Sequence, residues 1–266
     1  MNTFEKPDPF SVAFETDGKK VVVKSGVTID SESFPEAVML PKIKKGADYV
    51  VTQEGDSLRA EYFTGSIPGE AVGGFHIGLN GKILPHSLWD ADWRPACRDP
   101  RGMVLVADLF WADIYLLNDD PALSGTSRAG ASIADGSTPP IFSSGIRAEN
   151  LNWWTAVEIM ASHGKQLLSA AEFALAARGV EEGKNCGSDP KKTTHVPGLR
   201  SEWGLEQATG CMWTWGRDLT SWGGRVLLGG YWNTSVAGPR RLSGYFAYIS
   251  DDSLGARGRC DHLVRV

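Results

Sequence analysis

Side chains able to ligate a metal or attack a substrate are present in this sequence but dispersed. Five histidines, His76, His86, His163, His195 and His262, show neither i, i+4 pairing nor H-x-x-x-H spacing, so they are not expected to form a zinc or iron centre. Four cysteines, Cys97, Cys186, Cys211 and Cys260, form no C-x-x-C pair and no small-domain disulfide framework. They are expected to be free, mostly buried thiols, with a Cys211–Cys260 bridge as the alternative. Asn118-Asp119-Asp120 is the densest oxygen cluster, but with Pro121 next to it the run reads as a solvated turn. Arg240-Arg241 reads as a framework salt bridge or carbonyl contact rather than a phosphate clamp. No catalytic residue, metal or cofactor is expected.

Composition narrows the function classes further. The chain has 266 residues, 22% of them charged and 42% hydrophobic, with 31 Gly and 10 Trp. That mixture excludes disorder, collagen and coiled coil and calls for many tight turns around large aromatic plates. A net charge of −5 gives no global attraction to nucleic acid or an anionic membrane. No window approaches the ~18 apolar residues of a membrane span, and Met1 to Phe14 has no signal-peptide core. Synthesis in the cytoplasm without membrane insertion is the expectation.

The elements that must position any site divide near residue 82. Residues 1–82 read as a small all-β domain, a sandwich or meander. Within it, Phe10, Val12 and Phe14 alternate before Asp17-Gly18 and the Lys20–Lys24 strand, and further strands are expected at Val38–Leu40, Tyr49–Gln53 and Leu58–Phe63. Nothing there has catalytic spacing, so docking or oligomerisation is its expected use. Residues 83–266 read as α+β. Val104–Ala107 and Phe110–Leu117 are apolar strands, and 119–147 is too long for a plain connector and reads as an ordered loop. Asn152–His163 has helical periodicity and stops at Gly164, and Ser169 with Glu172 forms an S-x-x-E capping box before a helix reaching Arg178. Residues 180–200 read as a mobile loop. Beyond Trp203 only short strands between glycine turns are expected.

Several of these runs carry a family resemblance. Trp153–Gly179, Gly210–Trp215 and Arg225–Trp232 resemble the formylglycine-generating-enzyme branch of the C-type lectin fold. From about Ser87 onward, Ser87-Leu88-Trp89-Asp90, Asp99–Met103, Phe110–Leu117, Ile133–Ser137, Gly255–Gly258 and Cys260–Leu263 resemble phage tropism-determinant proteins, variable proteins of diversity-generating retroelements. Gly46–Tyr49 and Gly73–His76 extend the likeness into the β domain. The chain is shorter than that family's members and is expected to lack their N-terminal prism.

The resemblance implies a C-type lectin fold of two helices with mixed, irregular β-sheet. It also implies a homotrimer at a phage or prophage tail-fibre tip, among other virion proteins, that binds a host cell-surface protein or glycan. A bacterial carrier, with the protein in the cytoplasm or at the surface, is the alternative location. A variable region of about 229–266 would display Tyr231, Asn233, Thr234, Val236, Ser243, Gly244, Tyr245, Phe246, Tyr248, Ile249, Asp251, Asp252, Ser253 and Leu254. These positions lack helical or strand periodicity and mix aromatics, acids and small residues, as antibody paratopes do. Positions that accept many side chains must face solvent, because a close-packed core feels even one methylene. Trp213, Trp215, Gly229, Gly230, Trp232, Gly238, Arg240, Gly255, Arg257, Cys260, Asp261 and His262 would be the fixed framework.

Two rival chemistries fit the residues less well. Formylglycine-generating chemistry implies two closely spaced cysteine thiolates, and Cys260 has no cysteine within 48 residues of it. Calcium-dependent sugar binding would need convergent oxygens, and Trp232-Asn233 continues with Thr234 rather than an acid. An undiversified lectin-type binding module is the remaining alternative.

Overall fold

A computed structural model describes residues 3–65 and 67–264. Arg265 and Val266, at the end of the expected variable region, lie outside the described residues. The first strands are β1 (Phe4–Glu5), β2 (Phe14–Thr16), β3 (Val21–Val23), β4 (Thr28–Ile29), β5 (Asp48–Glu54), β6 (Ser57–Tyr62) and β7 (Ala71–His76). After a 3-10 turn at Pro85–Ser87 come β8 (Trp89–Asp90), β9 (Trp93–Pro95), β10 (Met103–Val106) and β11 (Phe110–Asp113). The helices α1 (Pro121–Ser124), α2 (Trp153–Ser162) and α3 (Ala170–Ala176) are interrupted by β12 (Gln166–Leu167). The chain ends in β13 (Trp213–Leu219), β14 (Arg225–Leu228), β15 (Leu242–Tyr245), β16 (Leu254–Gly255) and β17 (Gly258–Val264). The described residues are thus mostly β with a few helices, rather than evenly α+β.

In the N-terminal part, β2 and β3 pair as the hairpin that Asp17-Gly18 announces, with Phe14 opposite Val23 and Gly18 at φ +88°. Val38–Leu40 contributes only a bridge at Met39, to Arg59, not a strand. The main sheet runs β6-β5-β7-β8. Because β8 pairs Gly74 with Trp89, this sheet extends past the expected division at residue 82. Gly73 and Gly74 allow that join: a Cβ on Gly74 would sit 2.5 Å from the Trp89 ring. Val50, Phe63 and Ala71 share one buried cluster with Trp89, Trp93, Trp111 and Cys260, so apolar packing is continuous across the division.

The C-terminal part holds two sheets. One runs β10-β11-β17-β12, with β9 also on β17, and the other runs β15-β14-β13-β16. Helix α2 is capped by the Asn152 side chain, and α3 by the full Ser169/Glu172 capping box, as the sequence pattern requires. Trp153, Ala156, Ile159 and Met160 bury one face of α2 against Trp213, Trp215 and Leu227.

Three local expectations need correction. Asn118 is buried, with its amide donating to the Gly125 carbonyl at 2.6 Å, and Asp120 caps the short α1, so this run is not a solvated turn. Residues 180–200 are pinned rather than loose: Leu199 is fully buried and the Thr193 hydroxyl donates to the Arg128 carbonyl at 2.6 Å. That segment is also tied by a disulfide from Cys186 to Cys211, which replaces the expected free thiols at both positions and the Cys211–Cys260 alternative. Cys97 and Cys260 remain free and buried.

Candidate functional site

The expected ligand-facing segment leaves the sheet as its edge strand. β15 pairs only with β14, in the register Arg225 opposite Tyr245 and Leu228 opposite Leu242. Its residues are exposed or half-exposed. Gly244 sits close to Thr220, where a Cβ would lie 2.4 Å from Thr220 Cγ2 unless that side chain moved. Beyond β15 the chain turns with the Ile249 N–H donating to the Phe246 carbonyl.

Aromatic rings cluster on this edge. Tyr245, Phe246 and Tyr248 are 47%, 54% and 67% exposed. Phe246 and Tyr248 stack, centroids 5.5 Å apart and planes within 9°, and Trp222 from the β13–β14 hairpin meets Phe246 edge-on at 5.2 Å. Trp154 of α2, also exposed, packs edge-on against buried Trp153, whose other contact is the Arg225 guanidinium. Trp222 and Trp154 are absent from the residues expected for the site. Their exposed apolar bulk, beside Gly223-Gly224 and on the outer face of α2, is the signal that could have found them.

The remaining expected positions separate by burial. Asn233, Val236, Ser243, Asp251 and Asp252 are exposed, and Tyr231, Gly244, Ile249 and Ser253 are half-buried. Two are corrected. Leu254 is fully buried, paired in parallel with Trp213. Thr234 is buried, its hydroxyl accepting from the Tyr231 N–H and its carbonyl from Asn185. A buried side chain held by the core cannot present itself to a ligand, so both belong with the frame. Asp251 is fixed by the N–H and hydroxyl of Ser253, and the Ser253 hydroxyl bond holds its carboxyl below the ordinary range.

The frame beneath is rigid for identifiable reasons. Arg257 is fully buried and donates to the carbonyls of Asp113 and Ile114 at 2.8 and 2.6 Å and to those of Glu206 and Gln207 at 2.7 and 3.2 Å. Burial pulls its pKa down to about 10. Next to it Lys165 and Asp113, both fully buried, form a 2.6 Å ion pair joined by the Thr126 hydroxyl. Burial opposes the ammonium charge, but Asp113 and the neighbouring anionic groups together keep Lys165 above the usual lysine range. His262 Nδ1 accepts the Trp111 indole N–H at 2.8 Å while Trp93 packs edge-on at 4.1 Å. Burial lowers its pKa, which suits a neutral structural imidazole.

Trp213, Trp215, Gly229, Gly230, Gly238, Gly255 and Cys260 are buried as frame residues should be. Gly229 and Gly230 take φ +89° and +84°, where an L side chain is strained. Trp232 departs from expectation: it is only half-buried, edge-on to Tyr231. Arg240, Arg241 and Asp261 are exposed, and neither arginine makes the expected salt bridge or carbonyl contact among the described residues.

One pairing was invisible along the chain. Cys97 and Cys260 both direct their sulfurs at Met103, whose sulfur lies 3.6 and 3.9 Å from theirs. Burial pushes the Cys260 thiol up. Both cysteines are buried in one cluster with Trp89, Trp93 and Trp111. Among the described residues no group of three His, Cys, Asp or Glu is placed to hold a metal ion.

No family model matches the chain. It is 34% identical to the tail fiber receptor-binding protein of Bordetella phage BPP-1, over 98% of this chain and 85% of that one. Solved structures of the major tropism determinant align over nearly its whole length. The I1 variant superposes with a TM-score of 0.91 at 31% identity over 99% of this chain and 87% of that one. The M1 variant does so at 0.90 and 32%, over 100% and 87%. The class so defined is that of phage tail-fibre receptor-binding proteins. Within that class, this chain belongs to the major tropism determinant family.

Proposed function

We propose that the chain is the receptor-binding, sequence-variable protein of a phage or prophage tail fibre, with a C-type lectin fold in residues 83–266 and binding rather than catalysis as its activity. The observation that carries this reading is the exposed aromatic run Tyr245, Phe246 and Tyr248 on an edge strand whose support is fully buried. Large rings with few rotatable bonds give contact area at low entropic cost, and exposed Asn233, Ser243, Asp251 and Asp252 add polar selectivity. The related structures are the I1 and M1 variants of one protein, which supports diversification by a retroelement. The ligand is a host cell-surface protein or glycan, and a homotrimer would multiply weak single-site affinity.

Two measurements test the reading. The neighbouring DNA should contain a near-copy of the Tyr231–Val266 coding region, differing chiefly at adenines, beside a reverse transcriptase. Light scattering should give three times 28.8 kDa. Absence of the repeat would leave an undiversified binding module, and a monomer mass would reject the trimer.

A further inference from the structure

A second concave surface shares no residue with the aromatic edge. It is a cavity of about 650 Å³ whose lining includes Lys44, Lys45, Arg101 and Arg128, with Asp48 as its one acid. The volume falls in the range of small-ligand sites. Sequence separates these cations into three stretches, and folding brings them together: Gly46 faces Ala129 so closely that a Cβ on it would lie 2.3 Å from the Ala129 Cβ.

The charges do not cancel. Asp48 is engaged from below, accepting from the Gly102 N–H at 2.8 Å and contacting His76 Nδ1 at 2.9 Å. Arg101 is held by both oxygens of Asp99, at 2.8 and 2.7 Å, and forms a fixed floor. Lys44, Lys45 and Arg128 make no ion pair among the described residues. Lys44, Lys45 and Arg128, only partly offset by the Asp48 carboxylate, therefore leave a net positive concavity on a chain whose net charge is −5. Field focusing in a cleft makes such a cluster attractive to anions.

One wall is aromatic. The Tyr62 ring is exposed, tilted against Tyr49 at 5.0 Å, and locked by its hydroxyl donating to the Lys42 carbonyl at 2.8 Å. A flat, pre-set ring beside cations matches a pyranose, which offers a C–H face to the ring and its acid groups to the ammonium and guanidinium. The geometry points to a second binding site for an anionic oligosaccharide, one carrying sulfate, phosphate or carboxylate groups. This goes beyond the proposed receptor surface and does not depend on it.

The full-length chain should be titrated by calorimetry with a fully sulfated heparin hexasaccharide, neutral maltohexaose and hexaglutamate. The sulfated sugar is expected to bind, weakening as salt rises, with the other two at least ten-fold weaker. The K44S/K45S/R128S variant, with an unchanged melting temperature, should lose at least ten-fold in affinity. A K19S/K20S/K192S variant, which removes the same charge elsewhere, should stay within two-fold. Absence of binding, equal loss in both variants, or no loss in the first would overturn the site. Equal binding of hexaglutamate or maltohexaose would overturn the ligand class. Adsorption through Tyr245, Phe246 and Tyr248 should survive K44S/K45S/R128S, so failure of one site is separable from failure of the other.

Discussion

The guanidinium carbon of Arg225 lies 3.6 Å from the ring centre of Trp153, and this contact joins the recognition edge to the frame. Trp153 is anchored on both sides, its indole donating to the Gly216 carbonyl at 2.9 Å and its backbone N–H to the Ala247 carbonyl. Arg225 stands opposite Tyr245 in the β14–β15 register. The exposed rings are thus borne by backbone that is itself tied to the core.

That arrangement separates binding from stability. Replacing Tyr245, Phe246 and Tyr248 together with Ala should cost less than about 1 kcal/mol, as surface changes do, while adsorption to host cells falls sharply. Parallel melting curves and adsorption counts check it. A large drop in melting temperature would place these rings in the core.

Leu254 should behave in the opposite way. Fully buried against Trp213 and Ala256, Leu254→Ala should destabilise by about 2–5 kcal/mol. A neutral result in urea denaturation would return it to the ligand surface. Trp232→Ala should cost less than a fully buried tryptophan would, because part of the ring already faces solvent.

Arg257→Leu should lower stability by at least about 3 kcal/mol, since it strips four buried carbonyls of their donor. Arg257→Lys should recover only part, an ammonium being unable to span both carbonyl pairs. Wild-type stability in Arg257→Lys would show that the planar fork is not what the site uses.

Thiol counting tests the cysteine arrangement. Denatured, unreduced protein should show two reactive thiols per chain, Cys97 and Cys260, and four after reduction. The paired cysteines are 25 residues apart, so the C186S/C211S variant should lose about 3 kcal/mol. Four thiols without reduction would refute the bridge.

Acid should weaken the fold through its histidines. Burial lowers the pKa of His163 and His262, so the unfolded chain takes up protons first as pH falls below about 6.5. Stability should therefore be constant above that value and decline as pH drops toward the lowered folded values. Melting temperatures from pH 8 to 5 report it, and H262Q should flatten the decline. A profile that improves with acid in this window would contradict the burial of these rings.

Local chemistry was written in the sequence. The Ser169/Glu172 capping box, the Asn152 cap, Gly164 and the Asp17-Gly18 hairpin involve neighbours within a few residues, where backbone hydrogen-bonding needs dictate residue type directly. The segment that carries the exposed aromatics was pointed to by the family resemblance, with its lack of helical or strand periodicity in agreement.

What the sequence could not decide depends on atoms far apart along the chain. Leu254 follows the solvent-facing Asp251-Asp252, and its parallel pairing with Trp213 opens the buried run that continues to Cys260. Cys97 comes close to Cys260 across 163 residues because β9, just before it, pairs with β17, whereas Cys211 turns to Cys186. Lys44, Lys45 and Arg128 become one electrostatic feature only once Gly46 meets Ala129. Residue type fixes what a side chain can do, but long-range closure sets its neighbours, and burial and charge convergence are properties of neighbours.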